Sequence, residues 1–185
     1  MGHALVAAHS EGADPVHKIS IVPRGHAALG YTLQLPTDEK FLLSQPAILD
    51  RIQVMLGGRA AEEIVFDVVS TGAQDDLERA TALAREMVTR YAMGKSVGLV
   101  HWAPPRSAGF LPGGESYAQR PFSEQTAREI DEEVKAILEA AYAEAKTLLT
   151  RHRDALERTA GELLRCETLD AERFAALIGP QEAAS

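Results

Sequence analysis

The chain has a single cysteine, a single tryptophan, no long apolar run, and fewer basic than acidic residues. Each shortage excludes something. One thiol, Cys166, cannot form an internal disulfide, and it fits a reducing, cytoplasmic compartment. No stretch approaches the ~18 to 20 consecutive apolar residues that span a bilayer, and the N-terminus lacks the basic-then-apolar pattern of a secretory leader. Lys+Arg 19 against Asp+Glu 27 gives a formal net charge of -8. With no local basic patch to offset it, that charge argues against nucleic acid as a partner. What is present is 185 residues with 45% hydrophobic content, enough for one domain with a sizeable core.

The hydrophobic period changes along the chain. Residues 2–9 read as the tail of a helix that ends in the turn cluster Ser10-Glu11-Gly12-Ala13-Asp14-Pro15. His17–Val22 and Leu29–Pro36 alternate and predict a small β-hairpin or sheet near the N-terminus. From Ser44-Gln45-Pro46 the period becomes helical, and Gly57-Gly58 predicts a break between two short helices. A clear helix is expected from about Ala73 to Met93, with an apolar stripe from Leu77 to Tyr91. Residues 94–122 hold four prolines and five glycines and read as a long loop, with Val97–Trp102 as a possible short strand. Ser123 opens a long helix. A second helix follows from about His152 to Leu164, and Thr168-Leu169-Asp170 caps a last one that ends at Gly179-Pro180. The expected fold is therefore mainly α, with a small N-terminal β element and a C-terminal helical hairpin or bundle. All of residues 1–185 form one domain in this reading, 1–122 with the long loop and 123–179 as the helical C-terminal part.

Two positions stand out chemically. His3 lies in Gly2-His3-Ala4-Leu5-Val6-Ala7-Ala8, which matches the second half of an H-E-x-x-H helix. In that motif two histidines four apart hold zinc and the intervening glutamate activates water. The first half would lie ahead of Met1, so the expectation is either a cut protein or one that has lost the chemistry. Asp76 is the second position. At about 100° per residue it sits roughly 55° from the centre of its helix's apolar stripe, whereas Asp75 points roughly 155° away. An inward carboxylate must cap its helix, pair with an arginine or bind a metal. Other residues are weaker candidates. Glu62 and Glu63 either support a zinc-bound histidine or are solvated or paired with Arg59. Trp102 is a subunit contact or a core residue, and Cys166 reads as a small packing residue.

The order of segments resembles the peptidase domain of FtsH-type ATP-dependent zinc metalloproteases. The resemblance rests on Gly2-His3-Ala4-Leu5-Val6-Ala7, Val16–Gly25, Leu29-Gly30-Tyr31-Thr32, Gly57-Gly58-Arg59-Ala60-Ala61-Glu62-Glu63, Ser70-Thr71-Gly72-Ala73 with Asp76 and Ala80-Thr81, and Phe122-Ser123-Glu124 leading into Ile130-Asp131-Glu132-Glu133-Val134. It implies that His3 is the second histidine ligand of the zinc and Asp76 the aspartate ligand, and it leaves the first histidine and the glutamate base without a counterpart. It also implies a mainly helical, zinc-dependent peptidase acting on unfolded or membrane polypeptides, joined to an ATPase module and a membrane anchor and assembled as a homo-oligomer, a hexamer. Gly30, Tyr31 and Thr32 lie on a strand that can accept an extended substrate by edge pairing. On its own the 185-residue chain is expected to be inactive and to bind zinc weakly or not at all. The alternative is a non-catalytic oligomerisation scaffold, a pseudo-protease.

Overall fold

The computed structural model describes residues 1–22, 31–35, 42–103 and 122–179. Among these, α1 (Gly2–Ala8) leads to β1 (Val16–Ser20) and β2 (Tyr31–Gln34), then to α2 (Gln45–Phe66), a 3-10 turn (Thr71–Ala73), α3 (Gln74–Thr89), α4 (Glu124–Arg151), α5 (Arg153–Cys166), β3 (Thr168–Asp170) and α6 (Ala171–Ile178). The mainly helical expectation holds, with a small antiparallel sheet in the order β2-β1-β3. No helix among the described residues is long and apolar enough to cross a membrane.

The helix ends follow local chemistry. Ser44, Ser123 and Asp170 each accept a main-chain N–H from three residues ahead and so start α2, α4 and α6. Asp67 and Glu167, both left-handed, end α2 and α5.

Three expectations are corrected. Helix α2 runs unbroken through Gly57-Gly58. The pair marks a close crossing: a Cβ on Gly57 would come 3.0 Å from Val6 Cγ2 and 3.1 Å from the Gly2 carbonyl oxygen. Val97–Trp102 forms no strand. It folds back on the end of α3, where the Trp102 main-chain N–H donates to Thr89 and its indole N–H to Val97. Thr168–Asp170 is a strand as well as a cap, because Leu169 pairs with Ile19 and fills the core at 0% exposure. Residues 104–121 of the expected loop lie outside the described residues.

Two apolar clusters share α2 and α4. One gathers Leu5, Val6, Ile19, Leu149, Leu163 and Phe174 around α1 and the sheet. The other gathers Ile48, Ile52, Ala84, Val88, Ile130 and Val134 between α2, α3 and α4. Trp102 packs against the second cluster and meets Phe122 edge to face at 6.1 Å, as a core residue does.

The segment after α3 is tied to α4 by Glu133, whose carboxylate accepts the main-chain N–H groups of Lys95 and Ser96 and the Ser96 hydroxyl. Burial pushes the Glu133 carboxyl up, but these hydrogen bonds outweigh it and hold the group below the usual carboxylate range. The stabilisation is therefore present above the ordinary carboxyl pKa and is lost as pH falls through the lower folded value. Glu133→Gln is expected to lower the melting temperature by roughly 3–6 °C at pH 7. The gap between parent and variant should close as the carboxyl protonates on acidification, and a gap that stays constant across the acid range in calorimetric scans would contradict the assignment.

Candidate functional site

Helix α1 is short and buried along Ala4, Leu5, Val6 and Ala7, so its position is set by packing against α2 and the core. That packing leaves His3 at the edge of α2. Its Nδ1 lies 2.8 Å from the carbonyl oxygen of Val54. A carbonyl only accepts, so Nδ1 carries the proton and a neutral ring presents its lone pair at Nε2.

Asp76 meets that lone pair. Helix α3 has no side-chain cap of its own, and the arginine nearby, Arg79, pairs with Asp75 at 3.7 Å. Among the described residues neither capping nor arginine pairing occupies Asp76. Its side chain is 28% exposed against 81% for Asp75, and its Oδ2 stands 3.3 Å from His3 Nε2. The wheel angle thus placed the two acids correctly. A lone pair facing a carboxylate oxygen is two acceptors in contact, an arrangement that calls for a proton or a cation between them. Nitrogen and oxygen ligands at ordinary zinc distances in a tetrahedral site lie about 3.4 Å apart. Donor types and spacing therefore fit a zinc ion at two of the three protein positions that a catalytic site uses. Among the described residues no group of three His, Cys, Asp or Glu completes it.

The pair opens on a cleft of about 840 Å³ whose walls include Tyr31 and Thr32 of β2, Ser20 of β1 and Arg51 of α2. Strand β2 is an edge strand: Tyr31 pairs with Ser20 and Thr32 with Ile19 on one side, and no strand among the described residues lies on the other. Gly30, the third residue of the expected substrate strand, is outside the described residues. The structure thus brings Tyr31, Thr32, His3 and Asp76 to one cleft.

Other supports were not visible in the sequence. Asp14 reaches Arg51 at 3.5 Å while its carbonyl accepts from Gln34, so one residue ties the cleft strand to α2. Glu62 holds the turn before α3: its carboxylate accepts the Ser70 main-chain N–H at 3.1 Å and the Ser70 hydroxyl at 2.9 Å. Glu62 is thus half-exposed and does not support the His3 ring, whose Nδ1 contact is to Val54. Glu63 accepts from the Tyr142 hydroxyl and, at 2.8 Å, from Lys146, so its ion pair is with α4 rather than Arg59. Burial, and then the Glu63 hydrogen bond, push the Tyr142 hydroxyl up to about 12. Cys166 is exposed, not a packing residue, because its turn of α5 faces away from the core. A capped turn such as Ser70-Thr71-Gly72 is the one local signal that could have pointed to the Glu62 support.

Comparison with known proteins agrees with this geometry. The family model described as peptidase family M41 matches residues 1–177. The ATP-dependent zinc metalloprotease FtsH 1 of Methylacidiphilum infernorum is 51% identical over 178 residues, 96% of this chain and 28% of the relative. FtsH 4 of Synechocystis is 48% identical over 183 residues, covering 99% and 29%. FtsH of Syntrophobacter fumaroxidans is 51% identical over 174 residues, covering 94% and 27%. The chain spans less than a third of the length of these relatives. With the family match running over nearly the whole sequence, the chain belongs to peptidase family M41.

Proposed function

We propose that this chain is the C-terminal peptidase domain, residues 1–185, of an ATP-dependent zinc metalloprotease that hydrolyses unfolded or membrane proteins. The observation that carries the reading is the 3.3 Å approach of His3 Nε2 to Asp76 Oδ2 in a cleft walled by an edge strand. His3 and Asp76 are two of the zinc ligands. Zinc, when bound, supplies the Lewis acidity that activates water and polarises the scissile carbonyl. The chain's own residues do the positioning. Val54 fixes the His3 tautomer, Asp76 brings the balancing negative charge, and β2, with Gly30, Tyr31 and Thr32, receives the polypeptide as an added strand. An ATPase module, a membrane anchor and assembly into a homo-oligomeric ring belong to the same reading of the intact protein. The peptidase part lies on the cytoplasmic side, and nucleic acid has no role.

The 185 residues alone supply no first histidine and no glutamate base, so they are inactive in this reading. Two ligands give about half of the free energy of a four-ligand zinc site, a Kd of about 10 µM or weaker. A zinc titration of the purified chain checks the first part, and casein digestion the second. Tight zinc binding together with proteolysis would reject the reading. The scaffold alternative draws on the two apolar clusters, neither of which includes His3 or Asp76. It requires a stable ring by light scattering from a chain whose Asp76→Asn variant assembles equally well.

A further inference from the structure

Glycine is the weakest ordinary helix former, and α2 carries two of them in its interior. The crossing with α1 accounts for Gly57. Gly58 faces something else: a Cβ at this position would come 2.4 Å from His3 Nε2 and 2.7 Å from His3 Cε1. The same ring donates from Nδ1 to the Val54 carbonyl. Val54 is four residues before Gly58, so in an unbroken helix its carbonyl also accepts the Gly58 N–H. The imidazole takes the second lone pair of that oxygen from the side a residue-58 side chain would cover.

We infer that Gly58 is a positioning residue for His3: its missing side chain leaves a notch in α2 that fixes the ring's tautomer and aims Nε2 at Asp76. An alanine there would have to displace the ring by about 1 Å to restore ordinary contact. Displacements of that size at a catalytic centre are costly. The ring would leave the Val54 carbonyl, and Nε2 would leave its 3.3 Å approach to Asp76. The zinc consequence rests on the function proposed above, whereas the notch itself does not.

The test separates the two. In the metal-free chain, nitrogen NMR of the ring should show His3 protonated at Nδ1 in the parent. In Gly58→Ala it should shift to the Nε2-protonated form that a solvated imidazole prefers. Thermal melts supply a second readout. Gly58→Ala should lower the melting temperature in the parent background but raise it when His3 is already alanine, because only helix propensity then remains. Zinc affinity, measured by titration, should fall at least tenfold in Gly58→Ala. A parent His3 without a proton on Nδ1 would overturn the inference. So would a Gly58→Ala chain with unchanged tautomer, or one equally destabilised, or unfolded, with and without the His3 ring. If tautomer and melting shift as described while a chain carrying His-Glu-Ala in place of Met1 binds zinc no better than the parent, the notch stands and the metal reading falls.

Discussion

Replacing Gly2 with alanine is expected to lower the melting temperature by about 4–8 °C, where the same change on an exposed helix surface would raise it. A Cβ on Gly2 would stand 2.0 Å from the Gly57 carbonyl oxygen and 2.7 Å from its carbonyl carbon. Both are backbone atoms in the middle of a 22-residue helix, so neither can rotate away. The other recourse is for α1 to lift off α2. That would open the core around Ala4, Leu5 and Val6, all at 0% exposure. Overpacking of this kind costs about 3 kcal/mol, more than the ~1 kcal/mol that alanine gains over glycine in helix propensity. For a chain of this size each kcal/mol moves the midpoint by about 2–4 °C. A circular-dichroism melt of Gly2→Ala within 2 °C of the parent would show that the crossing is looser than described.

The second large effect concerns chemistry. Replacing Met1 with His-Glu-Ala directly ahead of Gly2 would rebuild H-E-A-G-H and add a third protein ligand and a proton-shuttling carboxylate. Structural zinc sites gain about 10–16 kcal/mol from four ligands, or about 3 kcal/mol each, so zinc affinity should rise by about a hundredfold. A positioned general base contributes about 10²–10⁴ in rate, enough to bring casein hydrolysis from background to a measurable level. Exchanging the added glutamate for glutamine should keep the affinity and lose the hydrolysis. If the extended chain binds zinc no better than the parent, His3 and Asp76 are not ligands of a common ion.

Legibility from sequence followed the range of the interactions. The capping serines at positions 44 and 123 act within three residues and could be read directly, as could the stripe that turns Asp76 inward and Asp75 outward. Gly57-Gly58 was misread because a local rule treats paired glycines as a break, while the demand for them comes from Gly2 and His3, more than fifty residues earlier. Strand β3 is three residues long and has almost no pattern of its own. It exists because Ile19 and Ser20 of β1 pair with Leu169 and Thr168. The Val54 carbonyl that fixes His3 is main chain, which no residue type announces. The two candidate ligands were found by the spacing of a motif fragment and by a wheel angle. The residues that hold them were not, since Glu62 and Ser70 meet across a turn that only the folded chain closes.

The sheet order β2-β1-β3 also sets a sequence of events in time. Strand β1 is made roughly 150 residues before its second neighbour, the stretch 168–170. Closing a loop of roughly 150 residues is a slow, late step in folding. The cleft strand β2 hangs on β1, so the wall that would receive a polypeptide gains its full support only once that distant partner has been made and docked. A growing chain is thus kept from assembling a finished cleft while its own unfolded segments are still close by.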